Sequence, residues 1–392
     1  MAALRRKMGS EPLGLFGLGG DHLAAQGAVL MLHNSEFSVG GGPLEVISKL
    51  PKRRHLERQL EKRLFERRPD GAILIDNGEI NLRLASLLHF FGVPVVYFIP
   101  PKVWAWRMSR IEDIAQHVNL VLSILPFEKP LYTEWNVPFK YVGNPLLDEV
   151  PLELSQAEAK QRLGIDPKRD VLAVMPGSRH TEIQHHVEVF SGGIKTFIEA
   201  MPQAERPVVA VPVAQAIDAS ALEASFRSHL PGLDIVVAKG KSHECMKAAR
   251  VALVKSGTST LEAALLQTPM VLAYATSRSS VWLYKHVVRY RGYVGLVNLF
   301  LADNPTKALG WDGAVPEPVV TELLFGDCTA QNIARELGKI YPDGSAREKM
   351  LARLSKTRES LQPPAELGNS PSQAAAEAAW QLFRSARGEV SV

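Results

Sequence analysis

Two short segments in the second half of this 392-residue chain carry the residue types that hold a phosphate group. Pro176-Gly177-Ser178-Arg179-His180-Thr181-Glu182 follows the apolar run Val171–Met175, and Lys255-Ser256-Gly257-Thr258-Ser259-Thr260 follows Val251–Val254 and leads into Leu261–Leu266. A strand, a small-residue turn and a helix opening leave main-chain N–H groups unpaired at the positive end of the helix dipole, which suits an anion. Ser178 and Arg179 in the first turn, and Ser256, Gly257, Thr258 and Thr260 in the second, offer hydroxyls, close backbone approach and a forked cation to a diphosphate. Glu182 and Glu262 follow within the first helical turns, and Glu262 is spaced to accept bonds from both hydroxyls of a ribose. Each segment also has a plain reading as a capped helix start, with the carboxylate complementing the dipole. Two such turns in one half, with a carboxylate behind the second, favour a nucleotide diphosphate.

The first half contributes Gly71-Ala-Ile-Leu-Ile75-Asp76-Asn77-Gly78-Glu79-Ile80-Asn81. A carboxylate at the carboxyl end of a strand stands where a general base must sit to take a proton from an attacking hydroxyl, and Asp76 has that position. As a lone Asp after a strand it equally suits the cap of the next helix. Pro100-Pro-Lys-Val-Trp104-Ala-Trp106-Arg107 follows the next strand, and its two tryptophans either stack on a sugar or fill core. No Asp-x-Asp pair is present, His180, His185 and His186 lack the spacing of a zinc helix, and there is no Gly-x-x-x-x-Gly-Lys-Ser/Thr loop. The expectation is therefore a site without metal or cofactor, in which Arg179 and the helix starts stabilise a departing diphosphate.

These residues need strands to place them. Apolar, β-branched runs at Leu13–Leu18, Gly71–Ile75, Val95–Ile99, Leu120–Ile124, Val171–Met175, Val208–Val213, Asp234–Val237, Val251–Val254 and Pro269–Tyr274 alternate with helix-sized intervals. That pattern implies βαβ units and parallel sheets covered on both faces, an α/β fold. The chain exceeds one ordinary core, since domains hold roughly 100–200 residues. The best seam is Gly143–Ser155, with Ser155 as the cap of a helix ending at Gly164. The expected domains are 1–150, 151–365, and a carboxy-terminal helix within 366–392, capped by Ser370 with Pro371 first, which crosses back over the seam.

Hydrophobic residues make up 46% and charged residues 22%, the balance of a soluble globular enzyme. Cys245 and Cys328 stand far apart, which excludes a disulfide framework and fits a reducing cytoplasm. The start of the chain lacks the apolar core of a signal peptide, and no stretch reaches the about 20 apolar residues of a membrane span. The formal net charge is +4. Between Pro51 and Arg68, Lys52, Arg53, Arg54, Arg58, Lys62, Arg63, Arg67 and Arg68 stand against Glu57, Glu61 and Glu66, while Leu56, Leu60 and Leu64 recur every fourth position. This is an amphipathic helix whose basic face is either solvated or drawn to an anionic membrane. Nucleic acid is a poor fit, because no binding motif accompanies the charges.

Taken together, Pro101-Lys-Val-Trp-Ala-Trp-Arg107, Leu125-Pro-Phe-Glu-Lys129, Val142-Gly-Asn-Pro-Leu-Leu-Asp148, Pro176–Glu182, Ser256-Gly-Thr-Ser-Thr-Leu-Glu262 and Leu296-Val-Asn298 resemble the lipid-A-disaccharide synthase family. The match in order and spacing runs from about residue 15 to about residue 385. The resemblance implies a GT-B fold, two Rossmann-like domains facing a cleft. It also implies an inverting transfer of diacylglucosamine from a UDP-sugar donor to C6 of a lipid-linked acceptor, diacylglucosamine 1-phosphate. It implies peripheral contact with the inner face of the inner membrane, to which Phe37–Leu44 is suited, and it leaves a homo-oligomer open. Asn298 then lines the uridine side, and Trp106 and Arg107 the substrate. The family has an Asp at the position of Glu79, read as its base, so Glu79 takes that role with Asp76 beside it. The family also opens with a strand and a Gly-Glu-x-Ser-Gly-Asp loop; Met1–Lys7 matches the end of the helix after it, so a gap in the first sheet is expected. Two alternatives follow: a diverged paralogue that binds UDP without transferring sugar, and another GT-B enzyme acting on UDP-sugars, such as an epimerase.

Overall fold

The computed structural model describes residues 1–9, 11–33, 50–105, 107–288 and 290–388, with the side chains of 50–53, 278 and 285 left aside. Trp106 and the Phe37–Leu44 segment lie outside the described residues. The chain divides into two compact units, Met1–Asp148 with Gln362–Val392, and Glu149–Leu361.

In the first unit, β1 (Phe16–Gly19) and β2 (Val29–His33) form a parallel pair of their own. A separate four-stranded parallel sheet has the order β3 (Ala72–Ile75), β4 (Val95–Phe98), β5 (Leu120–Ser123), β6 (Phe139–Tyr141). One face of it packs Val96, Leu120, Leu122 and Val142 against Ala374, Ala375, Ala378, Ala379 and Phe383 of the carboxy-terminal helix Pro371–Ala386. The alanines let that helix lie close to the strands, and Gly71 passes so near that an added Cβ would stand 2.2 Å from the Phe383 ring. The helix begins as expected, with Ser370 accepting from Gln373 N and Pro371 in its first turn. The short helix Ala2–Met8 adds Ala3 and Leu4 beside Ala376 and Trp380, with Lys7 paired to Glu377 at 2.5 Å. A cavity of about 510 Å³ is lined by Ala2, Ile73, Ile75, Phe98, Ala376 and Ala379 among others. The basic helix Leu50–Glu66 buries Leu56, Leu60 and Leu64, as their four-residue spacing requires.

The second unit starts with the helix Gln156–Leu163, whose Ser155 and Glu158 form a reciprocal capping box and whose Gly164 ends it at φ 69°. Its single sheet comprises β7 (Val171–Met175), β8 (Val208–Val213), β9 (Ile235–Lys239), β10 (Val251–Lys255), β11 (Met270–Tyr274) and β12 (Glu322–Leu324). All pairings are parallel, in the order β9-β8-β7-β10-β11-β12. Every residue of β7 and β8 is buried, which is why these strands read as unbroken apolar runs and not as alternating ones. The helix His180–Glu199 then packs so closely on Ala330–Ile340 that a Cβ on Gly193 would meet Ile333 at 2.5 Å.

Candidate functional site

In the second unit the chain proceeds outward from β7 to β9, then restarts beside β7 at β10 and proceeds the other way. Loops leaving β7 and β10 therefore diverge and open a crevice at the carboxyl edge, where open α/β sheets take their ligands. Both phosphate-type turns sit there. Gly177 has φ +123°, and a Cβ on it would meet Glu182 Oε2 at 2.8 Å, so the turn needs glycine. Gly257 has φ +155° in the other turn.

Glu182 ties the two turns together. Its Oε1 accepts from Arg179 Nη1 at 3.0 Å and from Lys255 Nζ at 3.0 Å, and its Oε2 accepts from Ser178 N at 3.2 Å. Burial opposes charge on this carboxyl, but the Lys255, Ser178 and Arg179 contacts outweigh it and hold it below the usual carboxylate range. Arg179 remains well exposed, with 64% of its side chain open, whereas Lys255 shows 18%. Lys255 also lies over the Tyr274 ring, 5.9 Å from its centroid. Behind the second turn, Glu262 Oε2 lies 3.5 Å from His243 Nε2, and that bond raises the imidazole above its ordinary value. Beneath the first, His186 is fully buried, accepts from Ala275 N at 3.0 Å, and is driven down to about 4 by burial, so it stays neutral.

Two expected ligand contacts are corrected by their surroundings. Thr260 is fully buried and its hydroxyl donates to Gly257 O at 2.8 Å, so it braces the turn from inside. Asn298 is 1% exposed; its Nδ2 donates to Val320 O and to Glu322 Oε1, each at 2.8 Å, and its Oδ1 accepts from Val320 N at 2.9 Å. Its amide is consumed in holding the Gly295 helix start to β12. Ser256 and Thr258 lie in the turn, with Thr258 as the N-cap residue making no side-chain cap bond.

In the first unit β3 ends in two successive non-glycine residues with left-handed backbone, Asp76 (φ 50°) and Asn77 (φ 39°). Such conformations cost roughly 1–3 kcal/mol each and persist where the surroundings enforce them. Here Asn81 Nδ2 donates to Ile75 O and Asp76 O, and Tyr97 OH donates to Asp76 O at 2.8 Å. Asn77, and not Asp76, is the helix N-cap, and no side chain caps it. Glu79, in the first turn of Gly78–Phe90, draws Arg107 Nη1 to its Oε1 at 2.9 Å and Arg110 Nη2 to the same oxygen. Arg107 is itself left-handed at φ 60°. Trp104 is core: 7% exposed, it donates from Nε1 to Glu128 Oε1 at 2.8 Å.

The family model described as lipid-A-disaccharide synthetase matches residues 1–377. A lipid-A-disaccharide synthase of Myxococcus xanthus is 36% identical over 362 residues, 91% of this chain and 88% of the relative. The chain belongs to the lipid-A-disaccharide synthase family. Among solved structures, a Staphylococcus aureus MnaA–UDP co-structure superimposes with TM-score 0.55 at 12% identity, covering 96% of this chain and 98% of that one. A Neisseria meningitidis UDP-GlcNAc 2-epimerase bound to UDP-GlcNAc gives 0.56 at 10% identity, covering 98% and 96%. These likenesses concern the fold, two Rossmann-like units of parallel sheet.

Reading the sequence as a lipid-A-disaccharide synthase family member left several residues without a role. Lys255 opens the second turn segment with no role of its own in the sequence, and its tie to Glu182 joins positions 73 apart. Glu128, inside the Leu125–Lys129 motif, is 1% exposed and bonded by Ser123 Oγ as well as Trp104; burial pushes its carboxyl up to about 7. Lys102, between the fields of Glu128 and Asp76, is pulled below its ordinary value by burial. Arg110, the second guanidinium on Glu79, had no motif to mark it.

Proposed function

We propose that this chain moves 2,3-diacylglucosamine from UDP to the C6 hydroxyl of 2,3-diacylglucosamine 1-phosphate with inversion, forming the β-1,6 disaccharide lipid. The observation that carries the reading is the Glu182 tie between the β7 and β10 turns. It brings Arg179 and Lys255 to one crevice with the Ser256–Thr258 turn, where a pyrophosphate would be met by two cations and main-chain amides. Glu182 acts by orienting both cations, and Glu262 takes the ribose hydroxyls, with His243 fixing its carboxylate.

The first unit supplies the acceptor chemistry. Glu79, anchored through Oε1 by Arg107 and Arg110, uses Oε2 to take the proton from the acceptor hydroxyl. The hydroxyl oxygen bonds to the anomeric carbon on the face opposite the diphosphate, the carbon–oxygen bond to UDP breaks, and UDP leaves with the electron pair. Asp76 stands beside Glu79 and adds field at the same place, while Arg107 and Trp106 position the acceptor. The substrates carry acyl chains, which fits a peripheral position on the cytoplasmic face of the inner membrane. There the outer face of the Leu50–Glu66 helix, with Arg54, Arg58 and Lys62, meets anionic lipid at about 1 kcal/mol per basic side chain. No helix among the described residues is long and apolar enough to cross a membrane.

The test is to give purified protein UDP-2,3-diacylglucosamine and the lipid acceptor in detergent micelles and follow UDP release and disaccharide formation. Stoichiometric formation of both products supports the reading. UDP binding without turnover would leave a nucleotide-binding protein, and turnover of unacylated UDP-sugars alone would leave a different sugar-nucleotide enzyme.

A further inference from the structure

We propose that the second unit carries its own contact with an anionic lipid surface, on the outward row Trp282, Leu283 and Val287. The inference rests on the reading that the chain acts on lipid-linked substrates, and extends membrane contact beyond the basic helix of the first unit. The helix Arg278–Leu283 continues into a π-helical turn, Tyr284–Val288. Tyr284 faces inward, its ring 4.8 Å from that of Phe325, which also meets Tyr274. That anchorage leaves the opposite side in solvent: Trp282 is 59% exposed, Leu283 46% and Val287 54%. Trp282 stacks on His286 at 4.9 Å, which stiffens the row. Just beyond, the turn at Gly310 abuts Arg291 and Gly292, and the next residue, Trp311, is 42% exposed.

Charge selects the occupant. From Glu262 to Asp303 the sequence contains no other Asp or Glu, while Arg278, Lys285, Arg289 and Arg291 fall inside that stretch. Glu322, which lies near Tyr284, is turned inward and bonded by Val294 N, Gly295 N and Asn298. Exposed tryptophan and aliphatic side chains on a stretch of sequence that holds Lys and Arg but no carboxylate match the boundary of an anionic bilayer, where an indole lies at headgroup level and basic residues are drawn to lipid phosphates. A second copy of this chain would set like charges against each other.

The experiment is co-sedimentation at about 0.1 M salt, where surface charge is only partly screened, with phosphatidylglycerol-containing vesicles and with pure phosphatidylcholine vesicles. Relative to wild type, Trp282→Ser/Leu283→Ser/Val287→Ser should lose about tenfold or more of its partitioning into the anionic vesicles, as removal of buried apolar area at an interface demands. Its UDP affinity and melting temperature should be unchanged. Arg54→Ser/Arg58→Ser reports the first unit separately. As an independent readout that leaves Trp282 and Leu283 intact, Val287→Cys carrying an environment-sensitive dye should shift to the blue with anionic vesicles only. Wild-type-like binding by the triple variant, or no dye shift, would overturn the proposal. Absence of vesicle binding by wild type would overturn both membrane readings, while transfer in micelles judges the enzymatic reading alone.

Discussion

Lys255 Nζ lies 3.0 Å from Glu182 Oε1, so the residue ending β10 is locked to the helix that follows β7. The bond crosses the place where the sheet order reverses, and it joins two turns far apart in sequence. A carboxylate inside the proposed diphosphate site is accounted for by its partners. Glu182 neutralises part of two cations, and in return fixes where Arg179 and Lys255 present their remaining donors.

Removing that lock should weaken nucleotide binding. Lys255→Ala deletes a charge-assisted bond of about 1.5–3 kcal/mol to a bound phosphate, an affinity loss of about 10- to 100-fold. Glu182→Gln should cost less, because Arg179 and Lys255 remain but are no longer aimed. Calorimetric titration with UDP measures both; equal affinity in Lys255→Ala and wild type would remove the lysine from the site.

Glu79 should be the residue on which turnover depends most in the first unit. Glu79→Gln retains the shape but cannot take a proton, and kcat should fall by about 10² to 10⁴ while UDP affinity is kept. Glu79→Asp retracts the carboxylate from Arg107 and Arg110, and a displacement of about 1 Å is enough for a loss on the order of 10²-fold. A Glu79→Gln enzyme with normal kcat would assign the base elsewhere.

The His243–Glu262 contact carries a pH signature. Because folding raises this imidazole, the stability it adds is fully present below the unfolded pKa of about 6.5 and is lost as pH rises through the higher folded value. Wild type should therefore melt above His243→Gln at pH 6, by an increment worth up to about 1 kcal/mol, and the gap should close by pH 9. A gap that widens with pH would reverse the assignment.

Glu128 should give a trend of the same sign in a more acidic window. Its carboxyl rises from 4.5 to about 7 on burial, so the folded state holds a proton that the unfolded chain releases. Stability conferred at low pH therefore declines between about pH 4.5 and 7. Glu128→Gln keeps a partner for Trp104 Nε1 without a charge, and its melting temperature should gain on wild type across that window. Glu128→Ala leaves Trp104 and Ser123 unpaired in the interior and should cost about 1–3 kcal/mol at any pH. Thermal melts of the three proteins from pH 4.5 to 8 decide it.

β7, β8, β10 and β11 are legible because they are buried on both faces and so spell continuous apolar runs, and the Ser155–Gly164 and Ser370–Pro371 helices are legible from their caps. β6 and β12, of three residues each, carry too few side chains for a period to show, and only tertiary pairing defines them. At the site, the turn residues could be named from local chemistry, since a helix start after a strand is a local event. The Lys255–Glu182 lock, the Arg110–Glu79 pair and the Trp104–Glu128 bond could not, because each joins residues 24 or more positions apart. Thr260 and Asn298 misled for the same reason: hydroxyl and amide groups look alike in sequence whether they face a ligand or close a hydrogen bond in the interior.

The most direct measurement is a crystal structure of this protein with UDP. The account predicts the diphosphate at the carboxyl ends of β7 and β10, with its oxygens about 3 Å from Lys255 Nζ, the Arg179 guanidinium and main-chain N–H groups of the Ser256–Thr258 turn. It also places the ribose hydroxyls on Glu262. UDP bound away from this crevice, or with its phosphates in water and Lys255 still held only by Glu182, would contradict it.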